Sequence, residues 1–273
     1  MMATIDQFTA RLAKEPAVLV SVDASQGSVP REVGAWMAVF VDGFIGTIGG
    51  GHLELQAIAQ ARRRLANATV DGVLRFPLGP TLGQCCGGVV HLLFETVGAT
   101  QAGALEQRLT PRRIPVALFG GGHVGRALVA ALGPLPFALR WIDSRDEIFP
   151  EQVPGNVECE HSDPVQAAVA DLAPGSHVLV MSFSHAEDLD IIAACLQRQR
   201  IRGDLPFIGL IGSKTKWATF RHRLEERSFS KQELGQVTCP IGLAGIKGKQ
   251  PEVIAVSVAA QLLQLRSWET PEK

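Results

Sequence analysis

The tetrad Gly-Gly-Gly-His stands twice in the chain, at Gly49, Gly50, Gly51 and His52, and again at Gly120, Gly121, Gly122 and His123. Each copy follows an apolar run of strand type and opens a helical pattern. Glycines at a strand-to-helix turn carry no side chain to keep a ligand off the backbone. The helix that follows adds unsatisfied N–H groups and the positive end of its dipole. Such a turn favours an anion, and two of them predict a protein that holds a phosphate-bearing ligand. The second copy extends into Gly120-x-Gly122-x-x-Gly125, the spacing of a dinucleotide-binding fingerprint. Asp143 ends the next strand, where an acid accepts from a ribose-type hydroxyl. That frame hosts many ligands, so the spacing selects no particular nucleotide. His52 would sit beside an anion at the first turn, whereas Glu54 serves the helix dipole without any function. His123 either reaches a ligand or only supplies polarity at a helix entry.

The adjacent thiols Cys85 and Cys86, flanked by Gly83, Gly87 and Gly88, are the most suggestive soft atoms in the chain. Neighbouring cysteines bridge poorly, and a glycine-rich turn is exposed. Thiolate character there would suit a metal or sulfur contact; the alternative is two small residues filling a tight turn. Cys195 falls in an apolar helical stretch and reads as core. Further along, His185 follows a strand at the edge where α/β proteins bind ligands. Ser213 caps a helix after another strand-end glycine turn, with Lys214 and Lys216 offering charge to a phosphate or simply facing water. The loop Cys239–Pro251 ends at a helix start and is also compatible with an anion. No nucleophile elbow, Walker A loop, HExxH pair or paired catalytic carboxylates occur, so the chain offers cradles and little catalytic machinery.

These residues need elements to position them. Ile5, Phe8 and Leu12 mark a short amphipathic helix. Ala17–Asp23, Ala35–Val41 and Phe44–Ile48 read as strands, the last two joined at Asp42-Gly43. A helix follows to about Asn67, and Gly72–Pro77 and Val89–Val97 form a strand pair. Beyond residue 114 strands and helices alternate: Val116–Phe119, a helix with Val124, Leu128, Ala131 and Leu132, then Phe137–Ile142. A helix from Asp163, strand His177–Met181, a helix over Asp188–Gln199, strand Phe207–Ile211, a helix from Ser213 and one from Pro251 complete the pattern. The fold class is therefore α/β, with an N-terminal mixed α/β domain over residues 1–98 and a linker over 99–113. A Rossmann-like parallel sheet domain follows over 114–273.

With 273 residues, 46% hydrophobic and 19% charged, the chain can bury a substantial core. A net charge of −1 argues against nucleic acid, for there is no basic stripe to displace counterions from phosphates. No run of about 18 apolar residues spans a bilayer, and the first 14 residues lack a signal-peptide core, so a cytoplasmic protein without membrane partners is expected. Five cysteines at uneven spacing form neither a disulfide framework nor a zinc pattern.

Several segments together resemble one family. Gly27-Ser28-Val29-Pro30-Arg31, Gly46–Glu54 and Gly83–Gly88 are similar to N-terminal signatures of the xanthine dehydrogenase accessory proteins, the XdhC/CoxI family. Phe119–Gly125, Gly209–Lys214, Cys239–Leu243 and Pro251–Ala260 resemble its C-terminal half. Gly-His-Leu-Glu, with His52 where other branches carry Cys, resembles the xanthine dehydrogenase branch. The resemblance implies a non-catalytic chaperone, a homo-oligomer, whose cargo is the molybdenum cofactor, a pterin dithiolene with one phosphate. Its partners would be a cysteine desulfurase-type sulfur donor and apo-xanthine dehydrogenase. Where the family often shows Thr-His-x-His, the chain has Ser182-Phe183-Ser184-His185, so the role of the first histidine does not carry over. Outside this resemblance, Gly120–Gly125 with Asp143 leaves two other readings: an NAD(P)-binding oxidoreductase and a nucleotide-sensing Rossmann module.

Overall fold

The computed structural model describes residues 2–67, 71–78 and 87–265. Cys85 and Cys86 lie outside them. The chain forms two compact units, residues 1–111 and 112–273.

The first unit runs α1 (Met2–Leu12), β1 (Ala17–Gln26), β2 (Trp36–Val39), β3 (Phe44–Gly46), α2 (Gly51–Asn67), β4 (Gly72–Pro77), β5 (Val89–Val97), a 3₁₀ turn and α3 (Ala102–Leu109). Its five strands are all antiparallel in the order β3-β2-β1-β5-β4. Alternation along β1 and β2 sends Val18, Val20, Val22, Met37 and Val39 to one face, against Leu53, Ala57 and Ile58 of α2. Leu19, Trp36 and Ala38 go to the other face, against Ile5, Phe8 and Leu12 of α1 and Leu105 of α3. Both faces are covered, which is why β2 is buried along its whole length. Residues 99–113 differ from the linker expected there. Leu105 packs into the core with Phe8 and Leu12, and Arg108 forms a bidentate pair with Glu95 at 2.9 and 2.7 Å.

The second unit runs β6 (Ile114–Phe119), α4 (His123–Leu132), β7 (Phe137–Asp143), β8 (Val157–His161), a 3₁₀ run (Val165–Asp171) and β9 (His177–Val180). It continues through α5 (His185–Arg202), β10 (Phe207–Leu210), α6 (Lys214–Glu226), α7 (Lys231–Leu234), β11 (Val237–Thr238) and α8 (Pro251–Leu265). The sheet is parallel, in the order β11-β10-β9-β6-β7-β8. Strand order reverses between β6 and β9, and the carboxyl ends at such a reversal are where doubly wound folds bind ligands. Val116 and Leu118 face α4 and α8, while Ala117 and Phe119 face α5 and α6.

The helix expected from Asp163 is instead the 3₁₀ run. Its carbonyls at Val169 and Ala170, with that of Leu172, accept from the buried Arg198 guanidinium, which also pairs with Asp204 at 2.7 Å. Among the described residues no helix is long and apolar enough to cross a membrane. Arg198→Met takes the guanidinium donor from the Val169 and Leu172 carbonyls and from Asp204, while the Ala170 carbonyl keeps Arg202. It should lower unfolding free energy by about 3–5 kcal/mol, read as a fall in urea midpoint at constant m.

Candidate functional site

The two glycine turns are best compared by asking where their amides go. In the first, Gly49, Gly50 and Gly51 all have positive φ, at 120°, 75° and 64°. This left-handed path curls the backbone round the side chain of Glu54, one turn into α2. Glu54 Oε2 accepts from the Thr47 hydroxyl at 2.6 Å, the Ile48 N–H at 3.1 Å and the Gly50 N–H at 3.2 Å. The Gly49 N–H donates to Thr47 Oγ1 at 3.1 Å. The chain thus supplies its own anion to this turn, and bare amides are not found at Ile48, Gly49 or Gly50. His52 is exposed on the first turn of α2.

The second turn closes differently. Gly120 (φ 125°) passes so near the Met181 carbonyl that any side chain there would collide with it. A side chain at Gly125 would strike the Gly120 carbonyl, which also accepts from Trp141 Nε1 at 2.9 Å. These two glycines let α4 start directly against the sheet edge. The Gly121 N–H donates to Asp143 Oδ2 at 2.6 Å. The N-cap residue, Gly122, brings no side chain to the helix start, so the first-turn amides of α4 at His123, Val124 and Gly125 have no cap of that kind. His123 is exposed and, with Arg126, Pro251 and Glu252, lines a groove of about 550 Å³ between α4 and α8.

Asp143 is 2% exposed, and its carboxylate is saturated from within. Besides Gly121 it accepts from the Arg145 N–H at 2.9 Å and from Arg145 Nε and Nη2 at 2.8 and 2.9 Å. Burial pushes its pKa up, but the hydrogen bonds from Arg145 and Gly121 outweigh that and hold it below the ordinary carboxylate value. Asp143 therefore braces the glycine turn and aims Arg145. The guanidinium in turn lies over the Phe183 ring, with Cζ 4.6 Å from its centroid.

Phe183 rides on the loop after β9, and that loop is tied on both sides. The Ser182 N–H and hydroxyl donate to Asp188 Oδ1 at 2.8 and 2.7 Å, and the Glu187 N–H donates to Ser184 Oγ at 3.2 Å. Asp188 is held by the largely buried Lys216, whose Nζ donates to its Oδ2 at 2.6 Å and to the Ile211 carbonyl at 2.9 Å. Ser213 acts as the N-cap of α6, its hydroxyl accepting from the Lys216 N–H at 3.1 Å, while Lys214 is exposed. His185 is exposed, with its ring edge-on to Phe220.

The structure thus gathers Gly120, Gly122, His123, Gly125 and Asp143 along one edge, joined through Arg145 to Phe183. It places Gly49, Gly50, Gly51 and His52 in the first unit at a turn filled by Glu54. Arg145, Phe183 and Lys216 in its paired role were missed as site residues. The signal for Arg145 was its place two residues past the strand-end acid; for Phe183 it was an aromatic among serines at a strand end. As for sulfur, burial pushes Cys195 up to about 12 and raises Cys159, leaving both poor thiolates. Burial also raises Cys239, against the pull of Lys216. Among the described residues no three His, Cys, Asp or Glu side chains meet as a metal site.

The family now follows from comparison. The model of the XdhC Rossmann domain matches residues 116–262, and that of the XdhC and CoxI family matches residues 10–77. The chain belongs to the XdhC family. A solved chain from Bacillus halodurans, described as a xanthine dehydrogenase, superposes with a TM-score of 0.79 at 19% identity, covering 98% of both chains. It shares the fold. A curated Escherichia coli (strain K12) protein, YqeB, itself uncharacterised, is 27% identical over 263 residues, or 92% of this chain. The chain spans 44% of the length of YqeB.

Two predictions arise from the turns. Glu54→Ala empties the anion position of the first turn, so millimolar phosphate should raise the melting temperature of the variant clearly more than that of the wild type. Equal responses would show that the turn does not need an anion. Arg145→Ala removes the guanidinium while burial remains, so the Asp143 pKa should rise, followed by carboxyl-carbon NMR. In the wild type the depressed pKa stabilises the fold above the unfolded value near 3.8. That contribution is lost as pH falls through the lower folded value.

Proposed function

We propose that this XdhC family member is an accessory protein of xanthine dehydrogenase maturation, not itself a catalyst. In this reading it holds the molybdenum cofactor as cargo and passes it to the apoenzyme. A cysteine desulfurase-type protein would supply sulfur while the cargo is held, and the working form would be a homo-oligomer. The observation that carries the reading is the pair of family models in order along the chain. The site geometry supports it in part. The first-turn amides of α4, without a side-chain cap, suit the single phosphate of the cofactor, and Ser213 and Lys214 stand at the start of α6, two strands along the same sheet edge. The first glycine turn fits a phosphate less well, because Glu54 already lies there. Soft sulfur suits molybdenum, and the family resemblance, not the described residues, is what points to Cys85 and Cys86; Cys195 is sealed in the core.

The NAD(P) reading is weakened by the same geometry. A ribose diol needs the strand-end carboxylate as a free acceptor, and that of Asp143 is engaged by Gly121 and Arg145.

Full-length protein made in a host that synthesises molybdenum cofactor should leave gel filtration carrying both molybdenum and a fluorescent pterin derivative. Cys85→Ala and Cys86→Ala should lower that retention, or the activation of apo-xanthine dehydrogenase, without a change in melting temperature. Neither molybdenum nor pterin on the wild type would overturn the reading.

A further inference from the structure

The last helix, α8, is apolar nearly all round. A surface helix ordinarily turns a polar face to water, and a helix without one is covered on every side. Its two mid-helix polar side chains do not serve solvent. Ser257 Oγ accepts from the Leu243 N–H at 2.8 Å, and Gln261 Oε1 accepts from the Gly242 N–H at 2.7 Å. A second side, with Ala255, Val258 and Leu262, is buried in the core that α4 shares. The side that remains carries Glu252, Val256, Ala260 and Leu263 at helical spacing, and Val256 is 59% exposed.

Beside that face runs the groove of about 550 Å³ between α4 and α8, lined by Ala127, Ala130 and Ala131 of α4. An apolar ridge thus lies next to a slot of small residues. Two exposed charges of opposite sign stand at the rim, Arg126 on α4 and Glu252 on α8. Each lies one helical turn ahead of an exposed apolar residue on its own helix, Ala130 and Val256 respectively. Arg126 donates to the Gly121 and Ile148 carbonyls through Nε and Nη2, which leaves Nη1 for an outside acceptor.

We propose that this face docks a second copy of the chain, about a two-fold axis that runs along the groove. An axis so placed lays α4 of each copy over α8 of the other. Arg126 of each copy then meets Glu252 of the other, and one turn further on Val256 enters the alanine slot of the facing α4. Ridge and slot, cation and anion, all stand on one patch, so the surface is its own complement, as an isologous contact requires. Covering the ridge and the slot removes apolar surface from water, which drives association, while the two ion pairs set register and choice of partner. The inference deepens the homo-oligomer of the reading above and rests on that part of it, not on the cargo.

The test is sedimentation velocity of the full-length chain over a dilution series. The wild type should be a dimer that dissociates on dilution. Val256→Asp places an unpaired charge in each slot and should weaken association by about 100-fold or more. Arg126→Glu and Glu252→Arg should each weaken it, since either one sets like charges together. An equimolar mixture of the two should recover the dimer, because opposite charges then meet at both contacts; misfolding cannot produce that recovery. If Arg126→Glu melts lower for want of the donor to Gly121 and Ile148, Val256→Asp and Glu252→Arg decide alone. A wild type that is monomeric throughout, or a dimer indifferent to Val256→Asp and to Glu252→Arg, would overturn the interface. So would a mixture of two well-folded charge variants that associates no better than either one. A dimer untouched by Val256→Asp, with activation of apo-xanthine dehydrogenase lost, gives the face to the enzyme and also overturns it. A monomer that carries molybdenum and pterin ends the interface and leaves the cargo reading. A dimer that responds as expected but carries neither keeps the interface and ends the cargo reading.

Discussion

A glycine turn frees backbone N–H groups that must find acceptors, and in each unit of this protein a carboxylate of the chain itself provides one. Glu54 reaches back over its own helix start to collect Ile48, Gly50 and Thr47. Asp143 comes from the neighbouring strand to collect Gly121. Similar tetrads thus reach different ends. The first is closed on itself, with a structural carboxylate in the position an anion would take. The second is braced from beneath by Asp143, and its helix start is left without a side-chain cap.

That difference organises the second unit. Asp143 spends its hydrogen bonds on Gly121 and Arg145, within the strand order of a doubly wound sheet. The same carboxylate fixes Arg145, and Arg145 fixes one face of Phe183. On the other side of the loop, Lys216 and Asp188 form an ion pair that is almost wholly buried. Such a pair adds little net stability; here it locks the backbone on which Phe183 stands.

Much of the architecture was legible because strands buried on one or two faces advertise themselves. Gly72–Pro77 and Val89–Val97 coincide with β4 and β5, and the alternation on each side of Gly120 placed β6, α4 and β7. Edge and local elements were not legible. β8 carries Glu158 and Glu160 and pairs on one side only, so it lacks the apolar run of a central strand. α3 offers a single fully buried residue, Leu105, in a polar stretch. At the site, glycine spacing located both turns but not what fills them. Glu54 lies in the same first turn whether it merely meets the dipole or curls back to the loop. Asp143 ends its strand whether it faces a ligand or Gly121. Those outcomes depend on successive positive φ values and on Arg145, which spacing does not encode.

Amide hydrogen exchange on the full-length protein, with and without added molybdenum cofactor, would decide whether and where the proposed cargo lies. Slowed exchange confined to Gly122–Gly125 and to the Ser182–Ser184 loop, with Ile48 and Gly50 unchanged, is the expected pattern. Protection at the Glu54-filled turn, with no change along the edge from Gly122 to Phe183, would contradict it.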